Sequence, residues 1–199
     1  EMFGEGFYTF DLEVPRLSES VDILPVTISE RLFANLDLKK GDIVLVEGQL
    51  RSYNRYINDS NRLVLTIVAR GIYMTDDEEK VSELLKKPNE IYSDGFICKE
   101  PIYRTTPFGR EITDLLVAVN RAYNKSDYIP CIAWGRNARF CERLLIGDHV
   151  KLWGRVQSRE YQKKLPNGEV SSRIAYEVSI SKLQYIKNDN NREGKEDVE

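Results

Sequence analysis

The chain contains one pattern written twice, and this constrains its fold more than any single motif does. VDILPVTI, beginning at Val21, is followed by SERLFANLDLKK and GDIVLVEGQLRS; SDYIPCIA, beginning at Ser126, is followed by WGRNARFCERLLI and GDHVKLWGRVQS. Asp22 and Pro25 match Asp127 and Pro130 at a spacing of 105, while Gly41, Asp42, Gly48 and Ser52 match Gly147, Asp148, Gly154 and Ser158 at 106. One inserted residue accounts for the change. Self-similarity of this kind means that one supersecondary unit is used twice, and it is read before composition.

Alternating or β-branched runs, one short helical segment and a Gly-Asp turn recur in both copies. In the second copy strands are predicted near 90–98, 110–122, 127–134, 148–161 and 172–186, with a helix near 136–145. The first copy supplies strands near 7–15, 21–28, 42–54 and 62–74 and a helix near 29–37, with nothing matching the first of the five strands. Five strands with one helix between the third and fourth suit the OB-fold. The expected class is therefore mostly β: two tandem OB-fold barrels, each with one short helix, the first lacking its first strand. Such a barrel has an open edge, so one strand's worth of chain, about five to ten residues, is expected before Glu1.

The boundaries follow as 1–74 for a degenerate first repeat, 75–88 for a charged linker (TDDEEKVSELLKKP, helical in part), 89–187 for the second repeat and 188–199 for a tail. The tail, NDNNREGKEDVE, is polar and has no aromatic residue, so it is predicted to be disordered. The overall charge of −3 conceals an asymmetry: −5 over residues 1–88, +5 over 89–187 and −3 over the tail. Basic character belongs to the second repeat, which is where a polyanion would bind. No apolar run approaches a membrane span, and the chain reads as soluble. Cys98, Cys131 and Cys141 form no CxxC pair and there is a single histidine, so free thiols in a reducing cytoplasm are expected, with no metal and no cofactor.

The second repeat resembles the bacterial single-stranded DNA-binding protein family over nearly all its length, through GFICKEP, LLVAVNR, DYIPCIAWGRNA, LLIGDHVKLWGRVQSREY and NGE followed by YEVSI. The first repeat resembles it more weakly, through FDLEVPR, DILPVTISERL and GDIVLVEGQLRSY. The resemblance implies a cytoplasmic, nucleoid-associated protein that binds single strands with little sequence preference in DNA replication, recombination or repair. It also implies four OB-folds acting together, hence a homodimer of this two-OB chain. Its base-stacking aromatics fall on Tyr123, Tyr128, Trp134 and Tyr161. Family members carry a C-terminal tip that recruits replication or repair proteins, and the last residues here, Glu-Asp-Val-Glu, do not match it.

An independent reading of the strands reaches the same surface. Along 148–161, Val150, Leu152, Gly154, Val156 and Ser158 share one side, and His149, Lys151, Trp153, Arg155, Gln157, Arg159 and Tyr161 the other. Along the preceding strand Tyr128, Pro130, Ile132 and Trp134 segregate from Ile129, Cys131 and Ala133. Cations interleaved with aromatics are what a stacking and phosphate-binding surface requires. Arg121, Arg136, Arg155, Arg159 and Arg173 are candidate phosphate contacts, backed by Lys151 and by Lys163 and Lys164 of the hairpin YQKKLPNG. Trp153, outside the family's aromatic set, is read as a packing or subunit contact.

In the first repeat, Ser18, Ile23 and Ser29 stand where the second has Tyr123, Tyr128 and Trp134. Arg51, Tyr53, Arg55 and Tyr56 remain as weaker DNA-binding candidates, and Ile43 with Leu45 as a subunit contact. The first repeat is thus expected to serve mainly in assembly. Two other classes stand against this reading. The enzyme class has no phosphate loop, no ligand cluster and only His149 as an imidazole base, with Asp42 and Asp148 reading as turn residues. The protein-interaction class, an OB module with weak or no nucleic-acid binding, is separated by direct titration with single strands.

Overall fold

The structure, a computed structural model, describes residues 6–57, 60–75, 77–164 and 168–187, with backbone only at Ile57, Ser60, Asn61, Lys163 and Lys164. The predicted disordered tail lies outside the described residues. The first repeat runs β1 (Phe7–Pro15), β2 (Val21–Ser29), α1 (Glu30–Phe33), β3 (Val44–Ile57) and β4 (Ser60–Met74). A connecting helix, α2 (Glu78–Lys86), leads to β5 (Ile91–Ile97), β6 (Ile102–Thr105), β7 (Glu111–Asn120), β8 (Ser126–Trp134), α3 (Arg136–Cys141), β9 (His149–Lys164) and β10 (Val170–Ile186). The two repeats form separate sheets, ordered β1-β2-β4-β3 and β5-β9-β10-β8-β7-β6, and in the second β5 also pairs with β7 and closes the barrel. Among the described residues the first repeat has no counterpart of β5, so the outer edges of β1 and β3 carry no strand.

The duplication extends to register. Short parallel ladders join Val26 to Ile67 in one repeat and Cys131 to Val178 in the other. Each long hairpin carries a bulge at a matched place, beside Gly48 and beside Gly154. The glycines are dictated by the bulge, because a Cβ at Gly48 would sit 2.4 Å from the Val68 carbonyl oxygen and one at Gly154 2.2 Å from that of Ser179. Before each long strand the chain turns through Gly41 (φ 99°) and Gly147 (φ 94°). The aspartates that follow accept the Lys39 and Leu145 amides at 2.7 and 2.8 Å, a turn role.

Two details differ from the sequence expectation. Strand β6 was not expected: four mostly exposed residues on a sheet edge leave no alternation to read. The helices end early, at Phe33 and Cys141, because Leu36 and Leu144 bond back three residues rather than four and the last turns tighten. The linker is helical through most of its length, capped by Asp77, whose carboxylate accepts the Glu79 and Lys80 amides at 3.1 and 3.2 Å.

Each repeat buries the inward side of its strands, with Val26, Ile28, Ala69 and Ile72 at the centre of the first and Val117, Ile129, Leu152 and Val178 among those in the second. The long hairpins cross over. Leu50 and Leu65 of the first repeat reach the core of the second, while Val156 and Tyr176 of the second pack with Val14 and Leu24 of the first.

Along this joint two fully buried carboxylates occupy equivalent positions. Asp22 receives Arg16 of its own repeat at 2.6 and 2.9 Å, and Arg155 at 2.9 Å and the Ser158 amide at 2.8 Å from the other. Asp127 receives Arg51 at 2.8 Å and the Ser52 amide at 2.7 Å across the joint, with Arg121 of its own repeat 3.3 Å away. The arginine–glutamine order is exchanged between copies: Arg51 bonds Gln49, and Arg155 bonds Gln157. Asn89, just past the linker, bonds both the amide and the carbonyl of Val156 and fastens the second repeat's entry to the same region.

Removing one partner of a buried ion pair leaves the remainder uncompensated. Asp127→Ala and Asp22→Ala are each expected to cost about 3 kcal/mol, the low end for buried pairs because the arginines are part exposed. Urea unfolding measures this, and a loss no larger than that of a surface alanine substitution would mean that the joint is not held by these carboxylates.

Candidate nucleic-acid interface

Strand β8 carries the clearest division of labour. Ile129, Cys131 and Ala133 are buried, whereas Tyr128 (45% exposed) and Trp134 (37%) protrude. Trp134 Nε1 donates to Ser179 Oγ at 3.2 Å, which fixes the indole edge and leaves its ring outward. The backbone beneath Tyr128 is held by the other repeat: its N–H donates to Ser52 Oγ at 2.7 Å. At the matched place, Ile23 N–H donates to Ser158 Oγ at 3.1 Å. One device thus supports a tyrosine in the second repeat and an isoleucine in the first.

Tyr161, on β9, lies opposite Arg173 in register, and the Arg159 guanidinium sits 5.9 Å from its ring centroid. Tyr123 occupies the β7–β8 turn with a left-handed backbone (φ 60°) and is 94% exposed. That conformation costs an L-residue roughly 1–2 kcal/mol, here within a turn closed by the Arg121 amide and the Lys125 carbonyl at 2.7 Å.

The candidate cations divide. Arg121 and Arg155 are bound to the joint carboxylates, as is Arg51 of the first repeat. Arg121 Nε faces Asp127 at ion-pair distance without hydrogen-bond alignment and is a buried donor left unsatisfied. Arg159 lies 3.5 Å from Glu177, and Lys151 3.8 Å from Asp94. Arg136, exposed at the start of α3, and Arg173, half-buried, form no ion pair among the described residues. The side chains of Lys163 and Lys164 lie outside the described residues. Tyr53, Arg55 and Tyr56 are exposed on the β3–β4 hairpin.

An open groove of about 730 Å³ brings Arg159, Tyr161 and Arg173 together with Arg104 and, from the first repeat, Arg62. Sequence reading had not singled out Arg62, Arg104 or Arg16, and it used Asp22, Ser52, Asp127 and Ser158 only as markers of the repeat, without a role at the joint. For the joint a signal existed: aspartate and serine recur at matched strand positions, where a solvent-facing residue is free to drift.

Other features take no part in this surface. Trp153 packs against Tyr92 at 5.1 Å with the Lys182 ammonium 4.6 Å from its ring, and His149 shares a 2.5 Å hydrogen bond with Asp94 and stacks on Phe96. That bond holds the Asp94 carboxyl below the ordinary range. The three cysteines are free; burial raises the Cys131 thiol strongly and pushes Cys141 up to about 12. Among the described residues no cluster of His, Cys, Asp or Glu is placed to hold a metal, and no helix is long and apolar enough to cross a membrane.

Residues 88–186 match the model of the Single-strand binding protein family. The chain is similar to single-stranded DNA-binding protein 1 of Staphylococcus aureus strain COL, with 30% identity over 105 residues, covering 49% of this chain and 60% of that one. It is also similar to the single-stranded DNA-binding protein of Deinococcus radiodurans, with 27% identity over 157 residues, covering 71% of this chain and 52% of the relative. The chain thus spans between about half and three fifths of these relatives. The wild-type single-stranded DNA binding protein from Thermus aquaticus aligns in structure over 94% of this chain and 83% of its own, with a TM-score of 0.67 at 18% identity. That likeness concerns the fold, and it spans both repeats.

Proposed function

This chain belongs, through its second repeat, to the single-strand binding protein family, and on that premise we propose that it binds single-stranded DNA with little sequence preference. In this reading bases stack on Tyr128, Trp134, Tyr161 and Tyr123, and phosphates meet Arg159, Arg173, Arg136 and the hairpin lysines Lys163 and Lys164. Arg121 and Arg155 hold the joint and act on DNA chiefly by supporting its neighbours. The observation that carries the reading is β8, where two aromatics protrude from a strand whose opposite side, Asp127, Ile129, Cys131 and Ala133, is entirely buried. A solvent-facing strand position ordinarily favours polar residues, whereas an aromatic face left outward provides a stacking platform for any base. The setting is replication, recombination or repair.

The protein works as a homodimer that presents four OB-folds. Exposed apolar residues on the first repeat, Ile43, Tyr73 and Met74, offer a surface for the second copy, and the first repeat serves mainly in assembly.

Three measurements test these points. Stacking is worth about 1–3 kcal/mol per base, so the Tyr128→Ala/Trp134→Ala double variant should bind fluorescent oligo-dT at least about 30-fold more weakly than the parent, whose own binding weakens with salt. Binding indifferent to both substitutions would favour the protein-interaction class. Ser52→Ala and Ser158→Ala should each cost about 1 kcal/mol of stability. Only Ser52→Ala should lower oligo-dT affinity, by up to about tenfold, because only it loosens a stacking residue. Sedimentation equilibrium should give twice the chain mass, and a monomer at micromolar concentration would remove the dimer.

A further inference from the structure

The groove at the joint is built by both repeats, and its charges do not balance. Arg104 is satisfied by Asp114 at 2.8 and 3.3 Å. Arg159 is partly satisfied by Glu177, which also accepts the Gln157 amide at 2.7 Å. Arg173 of the second repeat and Arg62 of the first both line the groove and have no carboxylate within ion-pair distance among the described residues. Tyr161, paired in register with Arg173, lines it too, with Leu63 and Ile174 exposed.

Two uncompensated guanidiniums lining one open groove favour an anion that enters it, and the Tyr161 ring provides a flat apolar surface. A phosphodiester whose base stacks on Tyr161 satisfies both demands. An isolated anion would leave the ring unused. Arg62 also pairs in register with Arg55, and Val64 with the exposed Tyr53, so the groove opens onto the first repeat's hairpin. We propose that this groove is a phosphodiester site shared by the two repeats, through which a single strand leaves Tyr161 and crosses onto the first repeat, with Arg62 as the first repeat's phosphate contact. The proposal rests on the single-strand-binding reading above and adds to it that the first repeat, despite lacking three stacking residues, completes the binding path.

The test compares Arg62→Ala and Arg62→Gln with Arg70→Ala, an exposed arginine of the same strand outside the groove. Thermal unfolding checks the fold of each, and the glutamine variant keeps the aliphatic stem if the alanine variant is impaired. Intact chains are titrated with a long oligo-dT over a series of salt concentrations. One lost phosphate contact on a single strand lowers the slope of log affinity against log salt by about 0.7, which is about fivefold in affinity near 0.1 M salt. That change in both Arg62 variants, with Arg70→Ala like the parent, is the expected result.

Arg62 variants that match the parent, while Tyr128→Ala/Trp134→Ala still loses binding, would overturn the shared groove and leave the proposed function standing. Equal losses at Arg62 and Arg70 would reduce the effect to a general charge field and also overturn it. A parent chain that fails to bind oligo-dT would remove both readings. If an acidic peptide displaced the oligonucleotide from the parent but not from the Arg62 variants, and Tyr161→Ala left oligo-dT affinity unchanged, the groove would be a protein-docking site instead.

Discussion

Two carboxylates buried at equivalent places hold this molecule in its form. An isolated carboxylate taken out of water is costly, so Asp22 and Asp127 are tolerable only where guanidiniums and backbone N–H groups converge on them. In both cases the opposite repeat supplies part of that convergence, through Arg155 and Ser158 for Asp22 and through Arg51 and Ser52 for Asp127. Neither repeat satisfies its own aspartate fully. The crossing of the long hairpins follows the same logic in apolar terms, since Leu50, Leu65, Val156 and Tyr176 lie where the other repeat provides their neighbours.

A duplicated framework frees one copy to specialise. Ser52 holds the amide of Tyr128 just as Ser158 holds that of Ile23, and the geometry is nearly the same. What differs is the side chain projected outward. The second repeat presents Tyr128 and Trp134; the first presents Ile23 and Ser29 at the same places. The support has been kept in both copies and the aromatic surface in one, and the second half is also the basic one.

Much of the fold was legible because strand alternation is a local property. Nine of the ten strands were anticipated, and the buried sides of β8 and β9 alternate as the period of two requires, except that Ile132 and Gln157, on the sides read as outward, are buried as well. β6 escaped because an exposed four-residue edge strand has no buried side to impose a pattern. The ends of α1 and α3 escaped because a tightening last turn depends on the path of the following chain. Within the candidate site the aromatics were legible and several of the arginines were not. Arg155 and Arg159 look alike on one side of β9, yet one meets Asp22 across the joint and the other lies over Tyr161.

By itself the sequence determined that one unit is used twice, that each copy is a twisted β-sheet with one helix, of which only the second has all its strands, and that the aromatic surface belongs to the second copy. These follow from spacing and alternation, which involve neighbours a few residues apart. Only the tertiary structure decided how the copies meet, which arginines are consumed in joining them, and that Arg62 shares a groove with Arg159 and Arg173. Those outcomes join residues 76 and 133 positions apart, as in Arg51 with Asp127 and Arg155 with Asp22. At such separations the periodicity of a strand carries no information about its partner, because register fixes which side a residue faces and not what the other repeat places against it.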